Sequence, residues 1–233
     1  MLQAQESLPE VERFAAPWSL QGHAWSVLLR LPRGAAATSA FVPPQLRSSV
    51  RSPLAVLMCV EYVDAPCGPY RELLFIPGAM LFPDGRRYPS ISRILVSTWS
   101  SVVNGRANWG IPKDRADFFF EPGPEGDRIR VADAGHEIAR LEFGPARGPH
   151  LPLATSWLPS RFTQLAQLHD DRAFYYQPGA RGSFRLCRLR QWQFDPELFP
   201  DVSNARVLAC VRIEQFAMTF PVARVTTGRG PAG

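Results

Sequence analysis

Seventeen glycines and 23 prolines punctuate a chain of 233 residues, and their density constrains its fold more than any other feature. Proline cannot sit in the interior of a regular helix, and glycine weakens one, so a long helical bundle is excluded. Between these breakers lie short apolar segments with strand character. In Ala24–Leu31, the side chains of Trp25, Val27, Leu29 and Leu31 share one face, with Ala24, Ser26, Leu28 and Arg30 on the other. Leu54–Val63 is almost continuously apolar, which predicts a strand covered on both faces. Further strands are expected at Glu72–Ile76, Ile91–Val96, Asp117–Phe120, Arg128–Val131, Glu137–Phe143, Ser183–Phe194 and Val207–Phe220.

Helical signals are few. Thr98–Trp109 carries Val102, Val103 and Arg106 at helical spacing and ends at Gly110, with Pro112 just beyond as a stop. Pro159–Leu168 is expected to form a second short helix. The fold class is therefore α+β, mainly antiparallel, curved or closed like a barrel, with few short helices. No linker, repeat or low-complexity segment divides the chain, so residues 1–233 are expected to form a single domain, frayed from about Thr227.

Composition narrows the function. Hydrophobic residues at 45% and charged residues at 20% describe an ordinary globular chain with no membrane-spanning stretch. The N-terminus, with Glu6, Glu10 and Glu12, does not look like a secretory signal, which points to the cytoplasm. Cys59, Cys67, Cys187 and Cys210 form no CxxC pair, and the histidines are scattered, so reduced thiols are expected and neither metal nor cofactor is called for. A net charge of +5 could suit a nucleic acid, but the positive residues are dispersed from Arg13 to Arg229. The densest group, Arg185, Arg188 and Arg190 among Phe184, Trp192 and Phe194, reads as a half-buried strand with a solvated face.

One compositional fact is sharper. Of 26 lysines and arginines, a single residue, Lys113, is lysine. Arginine replaces lysine adequately on a wet surface, but its guanidinium stays protonated and cannot serve as an amine nucleophile. Lys113 follows Gly105-Arg106-Ala107-Asn108-Trp109-Gly110-Ile111-Pro112, where a helix end and a proline give a short, rigid connection. Trp109, Ile111 and Phe118 could surround the amine with apolar material, and desolvation generally disfavours an ammonium.

This stretch resembles the acetoacetate decarboxylase family, in which a Gly-Arg-Glu segment leads through an aromatic residue to Pro-Lys. Gly105, Arg106, Pro112 and Lys113 match in order and spacing, and Gly68-Pro69-Tyr70-Arg71-Glu72 resembles the family's Gly-x-Tyr-x-Glu. Arg30, ahead of Val42-Pro43-Pro44-Gln45-Leu46, looks like the family's active-site arginine. The useful motifs cover about residues 15 to 120.

The resemblance implies a Schiff base at Lys113, with Glu72 orienting groups or transferring a proton, and Arg30 holding a carboxylate or keeping Glu72 ionised. Tyr70, Trp109 and Ile111 would border the substrate, and Arg106 would brace the helix. It also implies a homo-oligomer acting on a small keto acid. Without the resemblance, Glu72 reads as a strand rim residue and Arg30 as a surface charge.

Two positions depart from the pattern. Asp114 stands where the family commonly carries a second lysine, and Ala107 replaces the glutamate of Gly-Arg-Glu. A carboxylate near the amine would favour its charged form. However, neighbours in extended structure project to opposite sides, so Asp114 is expected to face away. Decarboxylation of a β-keto acid, aldol or dehydratase chemistry through the same iminium, and ligand binding without catalysis all remain compatible with the motif.

Overall fold

The computed structural model describes residues 8–33, 41–51 and 54–227. Its main element is an eight-stranded sheet. In chain order its strands are β1 (Trp18–Arg30), β2 (Leu54–Asp64), β3 (Tyr70–Ile76), β6 (Arg93–Val96), β7 (Lys113–Arg115), β11 (Arg147–Ala154), β14 (Gly179–Leu186) and β16 (Arg206–Phe220). The spatial order is β11-β14-β16-β1-β2-β3-β6-β7. Every pairing is antiparallel except β6 with β7, which the intervening helix Trp99–Trp109 makes parallel.

A four-stranded sheet joins β15 (Leu189–Phe194), β10 (His136–Phe143), β9 (Gly126–Asp133) and β8 (Asp117–Gly123). A three-stranded sheet joins β12 (Leu165–His169), β13 (Arg172–Tyr176) and β17 (Arg224–Thr227). A hairpin pairs β4 (Ala79–Leu81) with β5 (Arg87–Pro89).

Strand alternation explains how the large sheet carries two cores. Trp25, Val27, Leu29, Leu57, Cys59, Leu73 and Phe75 pack on one face against Ile129, Val131, Leu141 and Phe143 of the four-stranded sheet. Ala24, Val60, Tyr62, Tyr70 and Leu74 point to the opposite face, where Val102 and Trp109 of the helix and Phe174 and Tyr176 of β13 cover them. The apolar run of β2 is thus covered on both sides through its middle, whereas Leu54 and Val63 at its ends are exposed.

The helix itself is a poor helix sequence. Its Val102-Val103 pair, two serines, two asparagines and Gly105 each disfavour helix by about 0.5–1 kcal/mol relative to alanine. Burial of Val102, Val103 and Trp109, at about 1.5–3 kcal/mol for each large apolar side chain, offsets that. Local caps fix its ends: the Thr98 hydroxyl accepts from the Ser101 N–H, and Gly110 adopts the left-handed conformation at φ 63°. Asn104 and Asn108 hold the incoming chain against it, since each bonds the backbone of Phe14.

Several expectations are corrected. Among the described residues no sheet closes on itself; the large sheet is open, with β11 and β7 at its edges. Pro159–Leu168 holds only one helical turn, Ser160–Thr163, and then enters β12, whose Ala166 and Gln167 are buried. Ser183–Phe194 is not one strand: the chain leaves the large sheet after Leu186 and enters the four-stranded sheet at Leu189. Thr227 closes β17, and the rest of the tail lies outside the described residues.

Candidate active site

Lys113 sits at the start of the edge strand β7, and its side chain crosses under the first two turns of the helix. The amine is buried, with the residue 4% exposed. Its Nζ donates to Glu72 Oε2 at 3.1 Å and to Ser101 Oγ at 2.9 Å. It lies 4.9 Å from the centre of the Tyr70 ring, within range of a cation–π contact when charged.

Each partner is delivered by a separate element. Glu72 projects from β3, level with Val60 of β2 and Val96 of β6, and is itself 4% exposed. The Tyr62 hydroxyl approaches its other oxygen, Oε1, at 3.5 Å. Ser101 and Gly105 stand four apart on one helix face, one above the other along the lysine stem. Gly105 makes room for that stem: a Cβ at this position would lie 2.7 Å from Lys113 Cδ and 2.9 Å from Cε, and the stem would have to shift.

Electrostatics keep the surrounding hydroxyls protonated. Burial pushes the Tyr62 phenol well up, assisted by the Glu72 carboxylate. Burial does the same to Tyr70, reinforced by Tyr62 and Glu72. Both rings therefore remain hydrogen-bond donors at neutral pH. The half-buried Cys67 thiol is also raised, first by burial, with Lys113 pulling the other way. From β13, the buried Tyr176 phenol is raised by burial and by Glu72. Its hydroxyl has no hydrogen-bond partner among the described residues.

The structure brings Lys113, Glu72 and Tyr70 together, and Trp109 and Ile111 pack in the same core behind them. Trp109 is held edge-on to Trp18 and donates its indole N–H to the Pro221 carbonyl. Phe118 belongs to the opposite core and gives the amine no cover. Arg30 is not brought in. It lies exposed at the end of β1, opposite Leu54 and Arg206, six residues beyond Ala24, which is level with Glu72 through Val60. At about 3.3 Å per residue that separation is roughly 20 Å. Sequence order could not reveal this, because register decides which end of a strand meets the site.

Asp114 faces away from the amine, as strand alternation requires. Its carboxylate pairs with Arg93 and, at 2.6 Å, with Arg106, whose Nε also donates to the Lys113 carbonyl at 2.8 Å. Arg106 therefore braces the lysine strand from the helix. Asp114→Asn is expected to lower stability by no more than about 1 kcal/mol, because the carboxylate is half exposed. Reactivity of the Lys113 amine at fixed pH should stay within about threefold. Thermal denaturation and borohydride trapping measure the two; a tenfold change in trapping would place the carboxylate in control of the amine.

Tyr62, Ser101, Cys67 and Tyr176 were not singled out from sequence as site residues. Gly105 carried a signal, as the glycine of the family-like motif; the other four depend on pairing and packing.

A buried amine beside a carboxylate, ringed by neutral hydroxyls, can attack a small carbonyl and exchange a proton locally. The class this defines is a fold of mainly antiparallel strands that buries a lysine–glutamate pair between its large sheet and one helix. The acetoacetate decarboxylase family model matches residues 22–204, and the chain belongs to that family.

Solved structures agree in fold. The acetoacetate decarboxylase from Legionella pneumophila subsp. pneumophila str. Philadelphia 1 aligns with TM-score 0.66 and 13% identity, covering 95% of this chain and 93% of its own. An acetoacetate decarboxylase-like enzyme from Sphingomonas wittichii RW1 gives 0.63 and 17%, covering 98% of each chain. The enduracididine biosynthesis enzyme MppR complexed with pyruvate gives 0.61 and 15%, covering 92% of each. No curated protein matches. No described helix is long and apolar enough to cross a membrane.

Proposed function

We propose that this chain is a Schiff-base-forming lyase acting on a small keto acid, with decarboxylation of a β-keto acid such as acetoacetate as its reaction. The observation that carries this reading is the lone lysine, buried with its amine 3.1 Å from an equally buried glutamate. Lys113, having passed its proton to Glu72, attacks the ketone carbon as the neutral amine, and loss of water gives an iminium. The β-carboxylate then leaves as carbon dioxide, its bonding electrons passing to the iminium nitrogen to form an enamine. Protonation of the enamine carbon and hydrolysis return the amine and the ketone product. Glu72 takes up and returns protons over the short path between the two groups, and Tyr70 and Tyr62 donate hydrogen bonds to developing negative charge.

A second reading keeps the iminium and changes its fate to aldol-type condensation, cleavage or dehydration. Its support is the fold shared with MppR, solved with pyruvate and with the condensation product of pyruvate and imidazole 4-carboxaldehyde.

Incubation with acetoacetate or with pyruvate, followed by borohydride, tests the shared step. One side-chain amine exists, so an adduct on the peptide containing Lys113, as opposed to one on the chain's α-amine, identifies the Schiff base. Acetone and carbon dioxide from acetoacetate support the first reading, whereas turnover of pyruvate with an aldehyde supports the second. No adduct from either acid would overturn both and leave a ligand-binding module.

A further inference from the structure

On the far side of the large sheet, two thiols that catalysis at Lys113 does not use stand together in an open groove. β14 runs antiparallel to β16 with Leu186 opposite Val211, and one position further the Cys187 N–H donates to the Cys210 carbonyl at 3.0 Å. Their sulfurs are 3.2 Å apart. Hydrogen-bonded antiparallel neighbours have Cα atoms about 5.5 Å apart. That lies inside the roughly 4.4–6.8 Å that disulfides span, so a bond asks the sulfurs to approach by only about an ångström. The two cysteines line a groove of about 620 Å³ that Arg147, Arg188 and Arg190 also line. All three arginines are exposed.

The two thiols are unequal. Cys187 is half-buried, and its thiol is lowered, chiefly by the hydrogen bond with Cys210 and then by the Arg212 guanidinium, against burial and Asp127. Cys210 is buried, and its thiol is raised by the same hydrogen bond and by burial. An accessible thiol beside a cation is the better nucleophile, and a buried partner within reach is suited to resolve what it forms.

We propose that Cys187 and Cys210 form a redox dithiol site that reacts with a low-molecular-weight disulfide bearing carboxylates, drawn into the groove by Arg147, Arg188 and Arg190. The Cys187 thiolate attacks one sulfur of the small disulfide; that S–S bond breaks, and one thiolate leaves and takes a proton from solvent. Cys210 then gives up its proton and attacks the Cys187 sulfur, breaking the mixed disulfide and releasing the second small thiol. The small disulfide is reduced to two thiols, and the protein dithiol is oxidised to one disulfide. That bond fixes the crossover between β14 and β15, where the chain passes from one sheet to the other, to the long strand β16.

The experiment uses the native full chain, oxidised glutathione as the carboxylate-bearing probe, and cystamine as a cationic one. After acid quenching and alkylation, intact mass and peptide mapping follow the thiols. Wild type should lose two hydrogens and two alkylation sites, with Cys187 linked to Cys210 and with Cys59 still alkylated. Cys210→Ser should stop as a glutathione adduct on Cys187, whereas Cys187→Ser should form none at Cys210. The double variant Arg188→Ser/Arg190→Ser should react with oxidised glutathione at least about threefold more slowly, with no such loss toward cystamine. Four free thiols persisting in oxidised glutathione, equal modification of the two cysteine variants, or equal arginine dependence for both probes would overturn the proposal.

Discussion

Lys113→Arg is expected to abolish imine formation, with turnover of any keto acid falling at least about 10³-fold. The guanidinium keeps the positive charge opposite Glu72 and can still donate to Ser101, but it stays protonated and supplies no lone pair to a carbonyl. Arginine is a better probe than alanine at this position. Removing the cation leaves a buried carboxylate unpaired, and breaking a buried pair in this way costs about 3–5 kcal/mol. Loss of activity in Lys113→Ala would therefore confound folding with chemistry. The check is borohydride trapping with acetoacetate and with pyruvate, alongside circular dichroism and thermal denaturation. A folded arginine variant that still traps either acid or turns it over would remove the lysine from the mechanism.

Gly105→Ala is expected to separate stability from activity. The glycine lies inside a regular helix turn, where alanine is favoured by about 1 kcal/mol, so local propensity alone would stabilise the fold. The added methyl, however, falls 2.7 Å and 2.9 Å from two carbons of the Lys113 stem. The stem must shift, and it carries the amine away from Glu72 and Ser101. A misplacement of about 1 Å at reacting groups can cost about 10²-fold in rate, and a kcat loss of that order is expected. The melting temperature should change by only a few degrees, because the clash offsets a gain of similar size. Side-by-side measurement of kcat and melting temperature decides it: wild-type kcat in a folded Gly105→Ala would show that the stem has room and that the close contact does not position the amine.

Much of the fold was legible because its determinants are local. Alternation in Ala24–Leu31 placed Trp25, Val27 and Leu29 on one face, and they do share one core. Gly110 and Pro112 marked the end of the helix through a left-handed cap and a fixed backbone angle, which need no distant partner. Alternation also put Lys113 and Asp114 on opposite sides of β7.

Other features were illegible for an equally physical reason. Phe118 seemed available to the amine from its place in the chain, but it lies on β8, in a separate sheet on the far face. Pro159–Leu168 has helical composition, but pairing with β13 drew its second half into a strand. Arg30 occupies the right strand at the wrong end.

The sequence by itself determined the strand-rich class, the capped helix and the single amine at position 113, because each depends on residue chemistry or on periodicity over a few residues. Only the tertiary structure decided that Ser101 meets that amine and Tyr62 the Glu72 carboxylate beside it, that Arg30 does not, and that Cys187 reaches Cys210. Those meetings depend on strand order and register between segments tens of residues apart, where many apolar strands offer similar pairings and packing of the whole core selects one.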